Sequence, residues 1–254
     1  ATKCSIETPS SWSENKTVGN DWYLAFCKRN NLRLRKPEGL SKARAAGVNK
    51  EEVNAYFEVL GQIQDEFSLR NQHSHIYNMD ESGLPLNNRP PKIIAEKGKR
   101  EVISLTSVER GENVTVVACC NASGNFIPPL VIFKGARQRP ELQESLPTGA
   151  IACMSDSGYI NEDLFLKFLD HFQSHRTPGR VMLIVDGHTS HSALSALEFC
   201  QQHEIEMLCL PPHATHVLQP LDRTVFKSLK ANYHKEATAW MLGHPGSSIS
   251  KFQF

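Results

Sequence analysis

The run Val181-Met182-Leu183-Ile184-Val185, followed at once by Asp186, Gly187 and His188, limits the fold more than any other stretch of this chain. Five consecutive apolar residues leave no polar alternate face, the pattern of a strand buried on both sides within a parallel or mixed sheet. Such a strand needs helices over it, so the run by itself argues for an α/β architecture. An acid closing such a strand is held rigidly and partly desolvated. That suits a catalytic or metal-binding carboxylate, and equally an ordinary Asp capping the next helix.

The flanking sequence supplies the expected covering elements. A helix is predicted over 49–67, with Asn49 as cap, Glu52 as its capping-box partner, Val48 as a staple to Val53, and an apolar stripe of Val53, Tyr56, Phe57, Leu60 and Ile63. "HIYNMDESGLP" reads as a strand ending in a turn after Asp80, and 114–120 and 127–133 read as a hairpin turning through Asn121–Asn125. A capped helix follows over 161–173, then the strand 181–185, a helix over about 190–203, a strand in "EMLCLPP", and a helix from about 220 carrying Leu221, Val225, Leu229 and Tyr233. The predicted order is strand, hairpin, helix, strand, helix, strand, helix.

The chain has 254 residues, enough for one large domain or a domain with a small appendage. A hydrophobic content of 40% with 22% charged residues is that of a folded domain rather than a disordered tract. The net charge of +1 conceals an asymmetry: residues 1–50 carry 10 Lys/Arg against 4 Asp/Glu, and the remainder 18 against 23. The basic front points to a polyanion partner. Within it, "GNDWYLAFCKRN" predicts a short helix whose Trp22 and Phe26 are assigned to a small helical core, leaving Lys28, Arg29, Arg33, Arg35 and Lys36 to face solvent. The seven cysteines include no C-x-x-C pair, which argues against a zinc ribbon or a disulfide framework and favours a reducing compartment. No stretch reaches the roughly 18–20 apolar residues that span a bilayer, so no membrane partner is expected.

Three acids occupy comparable positions: Asp80 after "HIYNM", Asp186 after "VMLIV", and Asp222 at the start of the last helix. If strands 76–80 and 181–185 are neighbours, Asp80 and Asp186 lie side by side. Carboxylates that close repel unless cations neutralise them, and hard oxygen donors suit Mg²⁺ or Mn²⁺. Two such ions about 4 Å apart clamp the attacking and leaving oxygens of a phosphoryl displacement. The histidines give a rival reading. His188 and His191, and His213 and His216, have H-x-x-H spacing, so a zinc site is one alternative and a role in orienting the carboxylates or reaching phosphate is another.

"YNMDESGLP", "VIFKG", "LIVDGHTSH" and "LPPHATHVLQPLDRTVFKSLK" together resemble, in this order across about 75–240, the DDE superfamily endonuclease domain of pogo/Tigger/jerky-type transposases, the group to which centromere protein B is related. "GNDWYLAFCKRNNLRLRKPEG" with "SKARAAGVNKEEVNAYF" is similar to the end of that family's helix-turn-helix and the linker after it. The resemblance implies a ribonuclease H-like mixed sheet flanked by helices, with a small helical N-terminal segment. It implies a partial helix-turn-helix over 1–45, a linker helix over 46–74, the endonuclease domain over 75–240 and a tail over 241–254. Asp80, Asp186 and Asp222, 106 and 36 residues apart, match the family's metal-binding acids. The implied cofactor is a pair of Mg²⁺ or Mn²⁺ ions. The implied activity is cleavage and strand transfer of double-stranded DNA in the nucleus, with a homodimer as a possible assembly. Lys28, Arg29, Arg33, Arg35 and Lys36 are then phosphate contacts, while His188, His191 and His216 are secondary candidates. The alternative is a domesticated DNA-binding or chromatin protein that keeps the fold and the acids without cutting.

Overall fold

The computed structural model describes residues 12, 17–33, 49–86, 113–188, 193–244, 247 and 249–254. The chain divides into two compact units, Ala1–Ser41 and Lys42–Phe254. In the first, α1 (Asn20–Arg29) begins after Gly19 and ends with Lys28 and Arg29 in its last turn, where cations complement the helix dipole. It buries none of its residues. Trp22 stacks on Phe26 with ring centroids 5.0 Å apart, and Trp12 meets Trp22 edge-on. Trp22 is nonetheless 41% exposed, which corrects its assignment, with Phe26, to a small core: the rings cover one another rather than an interior.

The second unit is built on one six-stranded sheet in the order β4-β3-β2-β1-β5-β6. β1 (Ile76–Pro85), β2 (Asn113–Asn121) and β3 (Phe126–Lys134) form an antiparallel meander, while β4 (Ile151–Ser155), β5 (Val181–Val185) and β6 (Ile205–Cys209) add in parallel to β3, β1 and β5 respectively. The β2–β3 turn is closed by Asn121, whose Oδ1 accepts from the Ser123 and Asn125 N–H groups.

α4 (Glu162–His175) and α5 (Leu194–Gln202) cover one face; α3 (Pro140–Glu144) lies between β3 and β4 in sequence. Asn161 caps α4 by accepting from the Leu164 N–H at 2.9 Å, and the helix buries Leu164, Phe165, Phe168, Leu169 and Phe172. These residues pack against Tyr77, Met79, Val181, Leu183 and Val185 of the central strands. Both faces of β5 are therefore covered, as its unbroken apolar run requires, because the opposite face of the sheet carries α2 (Lys50–Glu66), α7 (Pro220–Thr224) and α8 (Phe226–Gly243), with the short α6 (Thr215–Leu218) just before α7 in the chain. Tyr56, Leu60 and Ile63 of α2 pack on Met182 and Leu208; Ala237 and Met241 of α8 pack on Val114, Val131 and Phe133.

Several local expectations are corrected. Asn49 caps α2 as expected, accepting from the Glu51 N–H, but Phe57 is 51% exposed instead of completing the α2 stripe. β1 does not turn after Asp80. It continues to Pro85 because β2 runs alongside, pairing Glu81 with Val117 and Leu84 with Val114. The final helix restarts at Phe226, and β4 is an additional strand.

Candidate metal and active site

The site is a consequence of register. β1 and β5 pair in parallel from Ile76↔Met182 to Asn78↔Ile184, and there the pairing stops. Two residues further on, Asp80 and Asp186 extend from the same face of the two strands, since side chains alternate with a period of two. Asp80 is 7% exposed, Asp186 is half-buried, and the third acid, Asp222, is exposed in the first turn of α7.

Asn78 ties the three acid-bearing segments together. It is 6% exposed; its Nδ2 donates to the Ile184 carbonyl at 3.0 Å, and its Oδ1 accepts from the Leu221 N–H at 3.2 Å. One side chain thus links β1, β5 and α7, each within two residues of its aspartate. Gln219, fully buried, approaches the same strand with its Nε2 3.5 Å from the Met79 carbonyl. The Asp186 Oδ1 accepts from the His188 N–H at 3.1 Å, fixing the carboxylate over the turn that leaves β5.

Carboxylate oxygens of Asp80, Glu81 and Asp186 all lie within 4.8 Å of one another. Burial is the main cause that pushes the Asp80 carboxyl up to about 8. The charges of Asp222, Glu81 and Asp186 add to it, against a hydrogen bond from the Glu81 N–H that favours the ionised form. A chain that places a desolvated acid beside three others bears an electrostatic cost that a divalent cation relieves. The donors are all hard oxygens. Cys209, paired across β5 and β6 with Val185, is not part of this group. The residues present therefore fit Mg²⁺ or Mn²⁺.

Among the described residues this is the one group of three or more metal-ligating side chains, and it contains no histidine. His188 is exposed beside Asp186, and His213 and His216 lie before and within α6. His191, Arg35 and Lys36 lie outside the described residues. Lys28, Arg29 and Arg33 are exposed in and just beyond the end of α1. Asn78 and Glu81 are the residues that sequence reasoning missed. The acid pair Asp80-Glu81 is plain in the sequence, but strand alternation sends neighbours to opposite faces and so discounts the second acid.

Residues 111–253, more than half of the chain, match the family described as DDE superfamily endonuclease. The match includes Asp186 and Asp222; Asp80 precedes it. Among curated relatives, the chain is 31% identical over 186 residues to the MFS-type transporter clz9 of Cochliobolus lunatus, covering 70% of this chain and 20% of that protein. It is 25% identical over 187 residues to the pogo transposable element with KRAB domain of Mus musculus, covering 70% and 30%. It is 26% identical over 250 residues to CENP-B homolog protein 2 of Schizosaccharomyces pombe, covering 88% and 42%. The chain thus spans less than half the length of these relatives. Among solved structures, the Mos1 mariner paired end complex with Mn superposes with a TM-score of 0.56 at 12% identity, over 99% of this chain and 71% of that one. The corresponding complex with Mg gives 0.52 at 13% identity, over 99% and 72%. This likeness establishes a ribonuclease H-like fold.

Proposed function

The chain belongs to the DDE superfamily endonuclease family, and on that premise we propose that it cleaves phosphodiester bonds of double-stranded DNA and joins the freed 3′ hydroxyl to target DNA. What supports this reading is the position of Asp80 and Asp186 side by side beyond the paired stretch of β1 and β5, with the charge of Asp222 acting on Asp80 from α7. Asp80, Asp186 and Asp222 would hold Mg²⁺ or Mn²⁺, in a pair as the family resemblance implies, and the bound cation supplies an activated nucleophile and neutralises charge on the scissile phosphate. The chain's own part is positioning. Asn78 ties β1 to β5 and α7, the His188 N–H bonds Asp186, and the Glu81 N–H bonds Asp80. His188, His191 and His216 then serve as secondary groups near the phosphate rather than as zinc ligands.

In this reading residues 75–240 are the catalytic domain, 46–74 the linker helix, 1–45 the tail of a helix-turn-helix and 241–254 a tail. Lys28, Arg29, Arg33, Arg35 and Lys36 add phosphate contacts, which strengthen binding without choosing sequence. The site of action is the nucleus, and two copies acting on paired DNA ends form the working assembly. No described helix is long and apolar enough to cross a membrane.

Nicking of supercoiled plasmid with Mn²⁺ tests the reading, comparing the wild type with Asp186→Asn. The wild type nicks and the variant, which keeps the acceptor for the His188 N–H, does not. Equal nicking by both would overturn the assignment. A second reading is favoured by the 88% coverage of the match to CENP-B homolog protein 2: a DNA-binding protein that retains the fold without cutting. Plasmid retardation on a gel without nicking by either form selects it.

A further inference from the structure

The acids that the structure gathers most tightly are not the three picked out by the sequence. The mutually close oxygens belong to Asp80, Glu81 and Asp186, while Asp222 stands on the exposed first turn of α7. Glu81 follows Asp80 directly in β1, and alternation alone would send it to the opposite face. Two features bring it back. β5 stops pairing with β1 at Asn78, so the β1 edge beside residues 80 and 81 has no neighbouring strand on that side. Glu81 also has one methylene more than Asp, enough to reach around that edge. Its N–H hydrogen-bonds the Asp80 carboxylate.

We propose that Glu81 is a direct ligand of the cation held by Asp80 and Asp186, a fourth carboxylate of the site beside Asp222. The inference rests on the metal-site reading above. Oxygens around one Mg²⁺ at about 2.1 Å lie roughly 3–4 Å apart, so three oxygens already within 4.8 Å close on a shared ion by side-chain rotation. Four carboxylates carry the formal charge of two divalent cations, a balance that three leave short. Both acids of β1 act together because the strand runs on to Pro85 and holds residues 80 and 81 in fixed backbone geometry.

The test is isothermal titration with Mn²⁺ at pH 8 on the wild type, Glu81→Gln, Glu81→Asp and Asp80→Asn, each matched to the wild type by circular dichroism in EDTA. Glu81→Gln removes the charge at constant size; Glu81→Asp keeps the charge and shortens the reach. Direct ligation predicts that both bind Mn²⁺ at least about tenfold more weakly, the range in which even supporting residues of metal sites fall. Asp80→Asn shows no comparable binding. Wild-type affinity in Glu81→Asp with loss in Glu81→Gln reduces Glu81 to a nearby charge and overturns the proposal. Wild-type affinity in Glu81→Gln, with binding lost in Asp80→Asn, also overturns it and leaves the metal site standing. Wild-type affinity in Asp80→Asn removes the metal-site reading itself.

Discussion

Replacing Asp80 by Asn should make the metal-free protein more stable, by an amount that grows as pH rises from about 4 to about 8. The Asp80 carboxyl has a folded-state value of about 8 against an unfolded 3.8, raised first by burial and then by Asp222, Glu81 and Asp186. The folded chain therefore holds this proton more tightly than the unfolded chain does. Its contribution to stability is complete below pH 3.8, falls as pH rises through the window to about 8, and is then lost. At about 1.4 kcal/mol per unit, ionisation across that window costs on the order of 5 kcal/mol by pH 8. Asn keeps an acceptor for the Glu81 N–H and cannot ionise, so the variant escapes the cost. In EDTA, Asp80→Asn should melt roughly 10 °C above the wild type at pH 8 and together with it near pH 4, at about 2–4 °C per kcal/mol for a chain of this size. Groups common to both proteins cancel in the difference. Mn²⁺ at about a hundred times its dissociation constant then adds about 2.7 kcal/mol to the wild type and nothing to the variant. A melting difference that does not change with pH, or a variant that melts lower at pH 8, refutes the claim that Asp80 is a desolvated carboxylate awaiting a cation.

Asn78→Ala strips partners from the buried Ile184 carbonyl and Leu221 N–H, and should cost about 2–4 kcal/mol in urea denaturation while lowering Mn²⁺ affinity. Loss of stability with unchanged affinity would show that the clamp does not align the acids. Phe168→Ala, in the face of α4 that covers the sheet, should lower stability by about 3–5 kcal/mol in the same assay without changing Mn²⁺ affinity in the folded fraction. Replacing Lys28, Arg29 and Arg33 together by Ala should reduce the dependence of log affinity for duplex DNA on log salt by up to about 2.7, near 0.9 for each phosphate no longer neutralised. Fluorescence anisotropy across a KCl series reads this, and an unchanged slope removes the three from the interface.

What was legible in the sequence follows how local each signal is. β5 occupies the run 181–185 because its apolar residues need no partner to declare themselves, and the Asn161 cap marks the start of α4 for the same reason. The neighbourhood of Asp80 and Asp186 followed from one conditional, that their strands pair. β1 outlasted its turn signals, Ser82 and Gly83, because pairing with Val116 and Thr115 outweighs propensity in a strand flanked on both sides along its first half. β4 escaped notice because Ile151–Ser155 is short and flanked by turn residues, and only β3 alongside makes it a strand. The exposure of Trp22 and Phe26 was illegible for the opposite reason: helical spacing is the same whether a stripe meets a core or only itself.

The position of the acids also follows from a balance of costs. A carboxylate in the middle of a fully paired parallel strand would be desolvated beyond what neighbouring charges or a cation could offset. At an exposed loop it would be solvated and poorly aimed. Here β1 and β5 part after Asn78, so Asp80 is backed by β2 and Ala118 on one side and has an open edge on the other. Burial makes the site electrostatically demanding, and the open edge lets acids from β5, from α7 and from β1 itself approach the same carboxylate. Fusing the two strands for two more residues would close that edge, and with it the route by which Glu81 reaches Asp186.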